Sequence, residues 1–317
     1  MDISFESAKA KETLAIAGYH LDRLDHLSAV RELTNFLRKS STSKIPGNRH
    51  ASISINSLVI CLACGGSGKR WGNFLSTKKH LVDIGREVPL LEHTKNQLLN
   101  RITPSRLIAV VNKHERDYYH FMDEIELIDR VGDPQEDVAL EILGNPSIGL
   151  NETKDLLLLM GDVAFSESAF DQIVEVVGSS TNLILFGRSK KNDFFQNTGG
   201  EIFGAYVPGT ELTNIGGFYE ICKKIYYGTT TIGFSRYSTW EVLALITAAG
   251  TKSGESTLAQ IGKHQYSLQE ILPIMKSSLE KGEFLESIWH EIDDETEDFD
   301  FPFEYLRWLS IQVEQRI

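Results

Sequence analysis

Cysteine is scarce in this sequence, and it has no long apolar run. The 317 residues include three cysteines, too few and too odd in number for a disulfide framework. Cys61 and Cys64 have the C-x-x-C spacing, but no second cysteine pair lies nearby, which disfavours a zinc or redox role. A reducing, cytoplasmic location fits better. No apolar run approaches the roughly 18 residues that span a bilayer, and the first residues do not resemble a signal peptide. We therefore expect no membrane association.

Basic residues are outnumbered by acidic ones. The formal net charge is -12, and such a surface repels phosphate backbones and anionic lipids. Nucleic acid is therefore not expected as a partner, although one small basic pocket for a phosphorylated ligand remains compatible with this charge. The hydrophobic fraction of 41% and the charged fraction of 24% are typical of a globular chain and exclude a disordered one.

The N-terminal part differs in pattern from the rest. Leucines and alanines recur at threes and fours over residues 5–39 and predict a helix, with a break at Gly18. Residues 39–56 are rich in serine and predict a linker. We expect an N-terminal helical extension and linker over 1–50 and a main domain over 51–317. The extension either packs on the main domain as a cap, which we favour, or serves as a dimerisation arm in a homo-oligomer.

Short apolar runs alternate with helical patterns from residue 57 onward. Such alternation predicts an α/β fold with a mostly parallel sheet flanked by helices. The predicted strands are 58–63, 107–111, 126–131, 156–160, 183–186, 201–207, 229–234 and 284–292. The predicted helices are 89–102, 113–122, 136–143, 166–177, 238–248, 268–279 and 303–313. Ligands bind such sheets at the carboxyl ends of the strands, so we expect a crevice beside Ala63, Val111 and Met160.

A glycine-rich segment, residues 65–72, follows the first strand of the main domain. It does not match a phosphate loop of the Walker type, because Arg70 follows Gly68-Lys69 where that motif needs serine or threonine. It also departs from the dinucleotide fingerprint, since Gly72 comes one place late. Backbone amides of glycines together with fixed cations suit a triphosphate and its leaving pyrophosphate. The alternative is that Lys69, Lys78 and Lys79 are solvated surface charges.

Two acidic positions follow predicted strands. Asp162 ends a buried strand, and the better helix cap is Ser166, so the carboxylate is expected to point into the ligand crevice. Residues 290–298 contain an acidic run that includes Asp293 and Asp294. Without further information, such a run predicts an acidic surface turn.

The sequence resembles the nucleoside-diphosphate-sugar pyrophosphorylase-like nucleotidyltransferases, which have a Rossmann-like fold of the GT-A type. Residues 62–72, Lys79-His80-Leu81-Val82 and Pro89-Leu90-Leu91 are similar to their opening motif. Gly161-Asp162-Val163 is similar to their metal-binding strand end. Residues 292–299 are similar to their closing Ile-Asp-Thr-Pro-Glu-Asp-Leu, with one extra residue and no proline.

This resemblance implies roles for individual residues. Arg70 and Lys79 would be catalytic and hold phosphates, with Lys79 preferred over Lys78 on spacing. Mg²⁺ would be held by Asp162 and Asp293, with Asp294 in reserve. The resemblance also implies a nucleotide-binding set of Ala63, Gly65, Gly66, Ser67, Gly68 and Lys69, and base contacts from Gln135 and Asp137. Arg188 and Glu201 are candidates for the acceptor site.

The function implied is transfer of a nucleoside monophosphate from an NTP to a phosphorylated small molecule, such as a sugar 1-phosphate, with release of pyrophosphate. One alternative is a GT-A glycosyltransferase that uses a nucleotide sugar, although the Asp-x-Asp usual at the metal of such enzymes does not occur at Asp162. A second alternative is a non-catalytic relative that keeps the fold.

Overall fold

The structure of the protein is a computed structural model. The described residues are 3–41, 53–65, 68–72, 74–86, 88–119, 122–130, 138, 141–142, 145–151, 153–188, 201–210 and 289–316. The helices are α1 (Ile3–Asp22), α2 (His26–Ser41), α3 (Leu90–Leu99), α4 (Glu167–Ser179) and α5 (Pro302–Glu314). Short 3-10 turns occur at Phe74–Ser76, Lys79–Leu81, Lys113–Tyr119 and Pro146–Ile148.

A seven-stranded sheet forms the centre of the molecule. Its strands are β1 (Ile53–Ala63), β2 (Ile102–Val111), β3 (Glu126–Asp129), β4 (Asp155–Met160), β6 (Ile184–Arg188), β7 (Glu201–Val207) and β8 (Trp289–Glu291). They lie in the order β3-β2-β1-β4-β7-β6-β8. All pairs are parallel except those of β7 with β4 and β6. The prediction of an α/β fold with a mostly parallel, Rossmann-like sheet is confirmed.

A small second sheet joins two distant parts of the chain. Strands β5 (Val163–Ala164) and β9 (Glu297–Asp298) pair antiparallel, with Val163 opposite Asp298. Because β5 follows β4 directly and β9 precedes α5, this pairing brings the C-terminal segment to the carboxyl edge of the central sheet.

Two apolar clusters hold these layers together. The main core lies between the sheet and helices α3 and α4, and it includes Leu62, Leu159 and Phe170. A second cluster is formed by α1, α2 and α5, with Leu33 and Leu309 fully buried in it. The sheet and the helices therefore bury their apolar faces against one another.

The N-terminal helices pack on the main body in this structure, as expected for a cap. Asp83 forms an ion pair with Arg38 of α2. At Gly85 (φ 73°) an added Cβ would lie 2.4 Å from Cβ of Leu37, so this glycine permits the close approach of α2 to the loop before α3.

The predicted break at Gly18 is wrong, because Gly18 lies inside α1. The chain turns at Leu24, which has a positive φ of 58°. Asp25 then accepts a hydrogen bond from the Ser28 N–H at 3.1 Å, which caps the start of α2. A side chain that caps the following helix thus fixes the boundary, and the glycine does not.

Most other predicted elements match the structure to within a few residues, and β7 and the Ser166 cap of α4 match the prediction. The segment after β2 forms a 3-10 turn over Lys113–Tyr119 and not the longer helix predicted. The predicted elements at 229–234, 238–248 and 268–279, and most of the predicted helix at 136–143, lie outside the described residues. The predicted linker at 39–56 is too long at both ends, since α2 continues to Ser41 and β1 begins at Ile53. Within the described chain, no helix has the length and apolarity needed to cross a membrane.

Candidate active site

A pocket of about 390 Å³ lies at the carboxyl ends of β1 and β4. Ala63 ends β1, Met160 ends β4, and both line the pocket together with Asp162. The remaining lining residues are Cys64, Gly68, Lys69, Arg70, Trp71, Gly72, Lys78, Lys79, His80, Val138 and Asp300. The pocket therefore lies beside two of the three predicted strand ends, Ala63 and Met160, whereas Val111 is not among its lining residues. Most of the predicted phosphate-binding residues border it.

The glycine-rich segment forms a tight turn at the mouth of this pocket. Gly68 and Gly72 have φ values of 58° and 64°, and the Gly72 N–H donates to the Gly68 carbonyl at 3.1 Å. Positive φ at both positions explains the glycines. Between them, Lys69 and Arg70 are exposed, while Gly66 and Ser67 lie outside the described residues.

Trp71 fixes this turn to the body of the protein. Its side chain is 3% exposed and its indole N–H donates to the Thr77 carbonyl at 3.0 Å. The ring packs edge-on against Phe74 and Tyr305, with centroids 5.2 and 5.9 Å away. A buried indole in the second cluster therefore holds the backbone between Arg70 and Lys79.

A buried ion pair supports the start of the segment. Arg130 donates to the Gly65 carbonyl at 2.8 Å and to Glu141 at 2.7 Å. Both charged side chains are less than 5% exposed, so the pair is shielded from solvent screening. These two residues were not among the predicted site residues, because an arginine after β3 and a glutamate in a helical pattern are typical of ordinary surface charges.

Lys79 lies between two carboxylates. Its ammonium forms an ion pair with Asp162, and it contacts Oδ1 of Asp300 at 3.1 Å. Arg70 forms an ion pair with the other oxygen, Oδ2, of Asp300, and its guanidinium lies 5.7 Å from the Phe301 ring centroid. Burial by itself lowers the pKa of Lys79, but Asp162, Asp298 and Asp300 together outweigh it and raise the pKa well above its ordinary value.

The small sheet explains why Asp300 reaches this place. The Phe299 N–H donates to the Asp162 carbonyl at 3.2 Å, next to the pairing of β5 with β9. Phe299 is fully buried, so its neighbours Asp298 and Asp300 lie on the opposite side of the extended segment. Helix α5 then begins at Pro302, and the Glu304 carboxylate accepts a hydrogen bond from the Phe301 N–H at 2.7 Å.

The second carboxylate at the Lys79 ammonium, beside that of Asp162, belongs to Asp300. Asp293 was expected at this place. Asp293 is exposed and does not line the pocket. The reserve candidate Asp294 accepts hydrogen bonds from the Ser166 hydroxyl at 2.6 Å and from the Thr296 N–H at 2.8 Å. It therefore orders the turn before β9. The sequence did contain a signal, since Asp300-Phe301-Pro302 has the aspartate, intervening residue and proline that the match at Asp293 lacked.

Lys78 and His80 flank Lys79 but contact other groups. Lys78 forms an ion pair with the buried Glu115. His80 hydrogen-bonds to the Tyr119 hydroxyl and stacks on its ring, with centroids 5.6 Å apart. Burial, reinforced by neighbouring Lys79, lowers the pKa of His80 to about 3. Of the two adjacent lysines, Lys79 is thus the one that contacts Asp162 and Asp300, and it is the one preferred from the motif spacing.

The acceptor-site candidates lie elsewhere or are not described. Arg188 is 1% exposed; it forms an ion pair with buried Glu297 at 3.0 Å and donates to the Thr296 carbonyl at 3.2 Å. The structure therefore places Arg188 in the packing of the C-terminal segment and away from solvent. Glu201 begins β7 opposite Arg188. The two residues expected to contact the base, Gln135 and Asp137, also lie outside the described residues.

The residues at the pocket fit a divalent cation of the magnesium type. Mg²⁺ is commonly held by one or two carboxylates together with water and phosphate oxygens. Oδ1 of Asp162 is buried, and no described residue gives it a hydrogen bond, so it can accept another ligand. No group of three or more His, Cys, Asp or Glu side chains suited to a metal occurs in the described parts of the chain.

Comparisons with known proteins give matches among solved structures. No protein-family model matches the chain, and no curated protein matches it. A Bacillus anthracis protein assigned as a glucose-1-phosphate thymidylyltransferase is 14% identical, with a TM-score of 0.46, over 81% of this chain and 96% of its own. CTP:phosphocholine cytidylyltransferase from Streptococcus pneumoniae is 12% identical, with a TM-score of 0.41, over 80% and 99%.

A third solved structure is the 4-diphosphocytidyl-2C-methyl-D-erythritol synthase from Anaerococcus prevotii. It is 16% identical, with a TM-score of 0.36, over 59% of this chain and 81% of its own. The solved structures named here are thus similar to this chain at 12–16% identity.

Proposed function

We propose that this protein is a nucleotidyltransferase that moves a nucleoside monophosphate from an NTP to a phosphorylated small molecule and releases pyrophosphate. The observation that carries this proposal is the convergence of two cations, Arg70 and Lys79, with two carboxylates, Asp162 and Asp300, beside a glycine turn. A triphosphate needs cations and backbone amides, and a metal shared with it needs carboxylates.

In the proposed reaction, Arg70 and Lys79 would have different roles. The acceptor phosphate attacks the α-phosphorus, the bond to the bridging oxygen breaks, and that oxygen leaves with the pyrophosphate. Arg70 is exposed at the pocket mouth and would offset charge on the leaving pyrophosphate. Lys79 would orient the phosphates from inside the pocket. No covalent intermediate with the protein is needed, so catalysis consists of positioning and charge stabilisation.

Asp162 and Asp300 would hold the metal in this scheme. When bound, Mg²⁺ would neutralise phosphate charge during the displacement. The buried Oδ1 of Asp162 supports this role, and so does the position of Asp300, two residues beyond the short strand that pairs with β5.

A product assay tests the proposal. The protein is incubated with each of the four NTPs, Mg²⁺ and a pool of sugar 1-phosphates and alcohol phosphates, and pyrophosphate is measured. We expect release that requires both one NTP and one acceptor. Cleavage of a nucleotide sugar to a nucleoside diphosphate, with no pyrophosphate from any NTP, would favour the glycosyltransferase alternative. No turnover of either substrate class would favour a non-catalytic relative.

A further inference from the structure

Lys79 is placed where a bound cation would be expected. A flexible surface lysine normally keeps its ammonium in water, yet this side chain is 15% exposed and its ammonium contacts both Asp162 and Asp300. Asp162 is itself 8% exposed in its side chain. A single positive charge therefore satisfies two carboxylates that would otherwise repel each other at close range.

We propose that the ammonium of Lys79 occupies the place between Asp162 and Asp300 that a divalent cation takes on binding, so that lysine and metal compete for the same carboxylates. This inference rests on the proposed function for the identity of the site. It goes beyond that function by stating that the lysine must leave the carboxylates before the metal can use both.

The energetics of the pair support an exchange. Removing one partner of a buried ion pair leaves an uncompensated charge and is strongly unfavourable. The ammonium can therefore leave Asp162 and Asp300 readily only when another cation takes its place at these carboxylates. The phosphates of a nucleotide, which this pocket is proposed to bind, would then offer the ammonium a second set of anions.

Arg70 is held in a similar way on the other side of Asp300. It contacts Oδ2, whereas Lys79 contacts Oδ1. Both phosphate-binding cations are thus attached to the same carboxylate in the protein alone. We accordingly expect weak metal binding in the absence of nucleotide.

The first test measures metal affinity without nucleotide, by calorimetry with Mg²⁺ and by the electron paramagnetic resonance of free Mn²⁺. Lys79→Gln is compared with wild type and with Lys69→Gln. Lys69 lines the same pocket and is exposed, so its replacement removes the same charge from the pocket mouth. We expect at least a tenfold gain in affinity for Lys79→Gln and less than a threefold change for Lys69→Gln. Unchanged or weaker binding by Lys79→Gln would overturn the inference.

The second test uses the wild-type protein. It distinguishes displacement of the Lys79 ammonium by the metal from simple charge repulsion between the two cations. The ¹H–¹⁵N signal of the Lys79 ammonium, assigned by its absence in Lys79→Arg, is followed during Mg²⁺ titration. We expect the signal to be lost as the site fills, because the ammonium returns to solvent. A signal that persists in the saturated protein would show that lysine and metal share the carboxylates, and it would overturn the inference even if Lys79→Gln fails to fold.

Neither test depends on turnover, so the two proposals can fail separately. Pyrophosphate release together with a persistent ammonium signal would keep the proposed function and discard the competition. Competition without pyrophosphate release from any NTP would keep the competition and discard the transferase. If neither the wild-type protein nor Lys79→Gln binds metal, the competition is overturned, together with the metal-binding role proposed for Asp162 and Asp300.

Discussion

The ammonium of Lys79 lies 3.1 Å from Oδ1 of Asp300, although 221 residues separate them in the chain. Two structural features produce this contact. The pairing of β5 with β9 brings the C-terminal segment to the carboxyl edge of the sheet. The buried ring of Trp71 then fixes the glycine turn between this segment and the second apolar cluster. The proposed active site is therefore assembled by long-range packing as much as by local motifs.

We expect Arg70→Ala to impair catalysis with little change in stability. The side chain is 63% exposed, so its ion pair contributes on the order of 0–1 kcal/mol to folding. Loss of an oriented charge at the leaving group lowers the rate by about 10²–10³-fold. The comparison is Arg116→Ala, which removes an exposed ion pair with Asp129; Arg116 is not among the residues that line the pocket. Equal rates for the two variants would show that Arg70 is only a surface charge.

Trp71→Ala should destabilise the protein strongly. Truncating a buried tryptophan costs about 3–5 kcal/mol, and here the indole hydrogen bond to Thr77 is lost as well. Trp71→Phe keeps an aromatic ring and should cost less. Urea denaturation gives the free energy of unfolding of each variant. Wild-type stability of Trp71→Ala would mean that the second cluster does not anchor the glycine turn.

Arg188→Met separates a structural role from an acceptor-binding one. Breaking the buried pair with Glu297 should cost about 3–5 kcal/mol, because the carboxylate is left without its partner. Replacing both residues, as in Arg188→Met with Glu297→Leu, should recover part of that loss. The KM for the acceptor should stay the same in the folded fraction. A raised KM with unchanged stability would restore Arg188 to the acceptor site.

Stability should fall as the pH is lowered from about 7 to 5. The pKa of His80 is about 3 in the folded protein, mainly through burial, whereas an unfolded histidine titrates near its ordinary value of about 6.5. Between these values the unfolded chain binds the proton and the folded chain does not, so acid favours unfolding. Burial lowers the pKa of His93 to about 4 and acts in the same direction.

Replacing His80 tests this pH dependence. His80→Gln should flatten the curve of unfolding free energy against pH in that window. Parallel curves for wild type and His80→Gln would show that this histidine does not contribute.

The strands and the crevice could be predicted because buried parallel strands are marked by continuous apolar runs such as residues 156–160. The glycine turn was visible for a similarly local reason, since positive φ at Gly68 and Gly72 selects glycine. Those features depend on a few neighbouring residues, and the sequence shows them directly.

The second carboxylate could not be located in the same way. The acidic run at 293–298 offered several aspartates, and only the pairing of β9 with β5 decides which one reaches Asp162. Asp300 follows buried Phe299 and therefore lies on the opposite side of the segment. The proline two residues later marks the start of α5 and has the same spacing from Asp300 as the proline from the aspartate in the family's closing motif. Arg130 and Glu141 form a buried pair through tertiary packing, for which a single sequence gives no periodic signal.

The most direct measurement compares pyrophosphate release by Asp300→Asn and Asp293→Asn under conditions where wild type turns over. Both substitutions keep the side-chain shape and remove one charge, but only Asp300 borders the pocket. We predict that Asp300→Asn and Asp162→Asn each reduce turnover by at least about 10²-fold, that the double variant is little worse, and that Asp293→Asn stays near wild type. Normal turnover by Asp300→Asn, with activity lost in Asp293→Asn, would contradict the account.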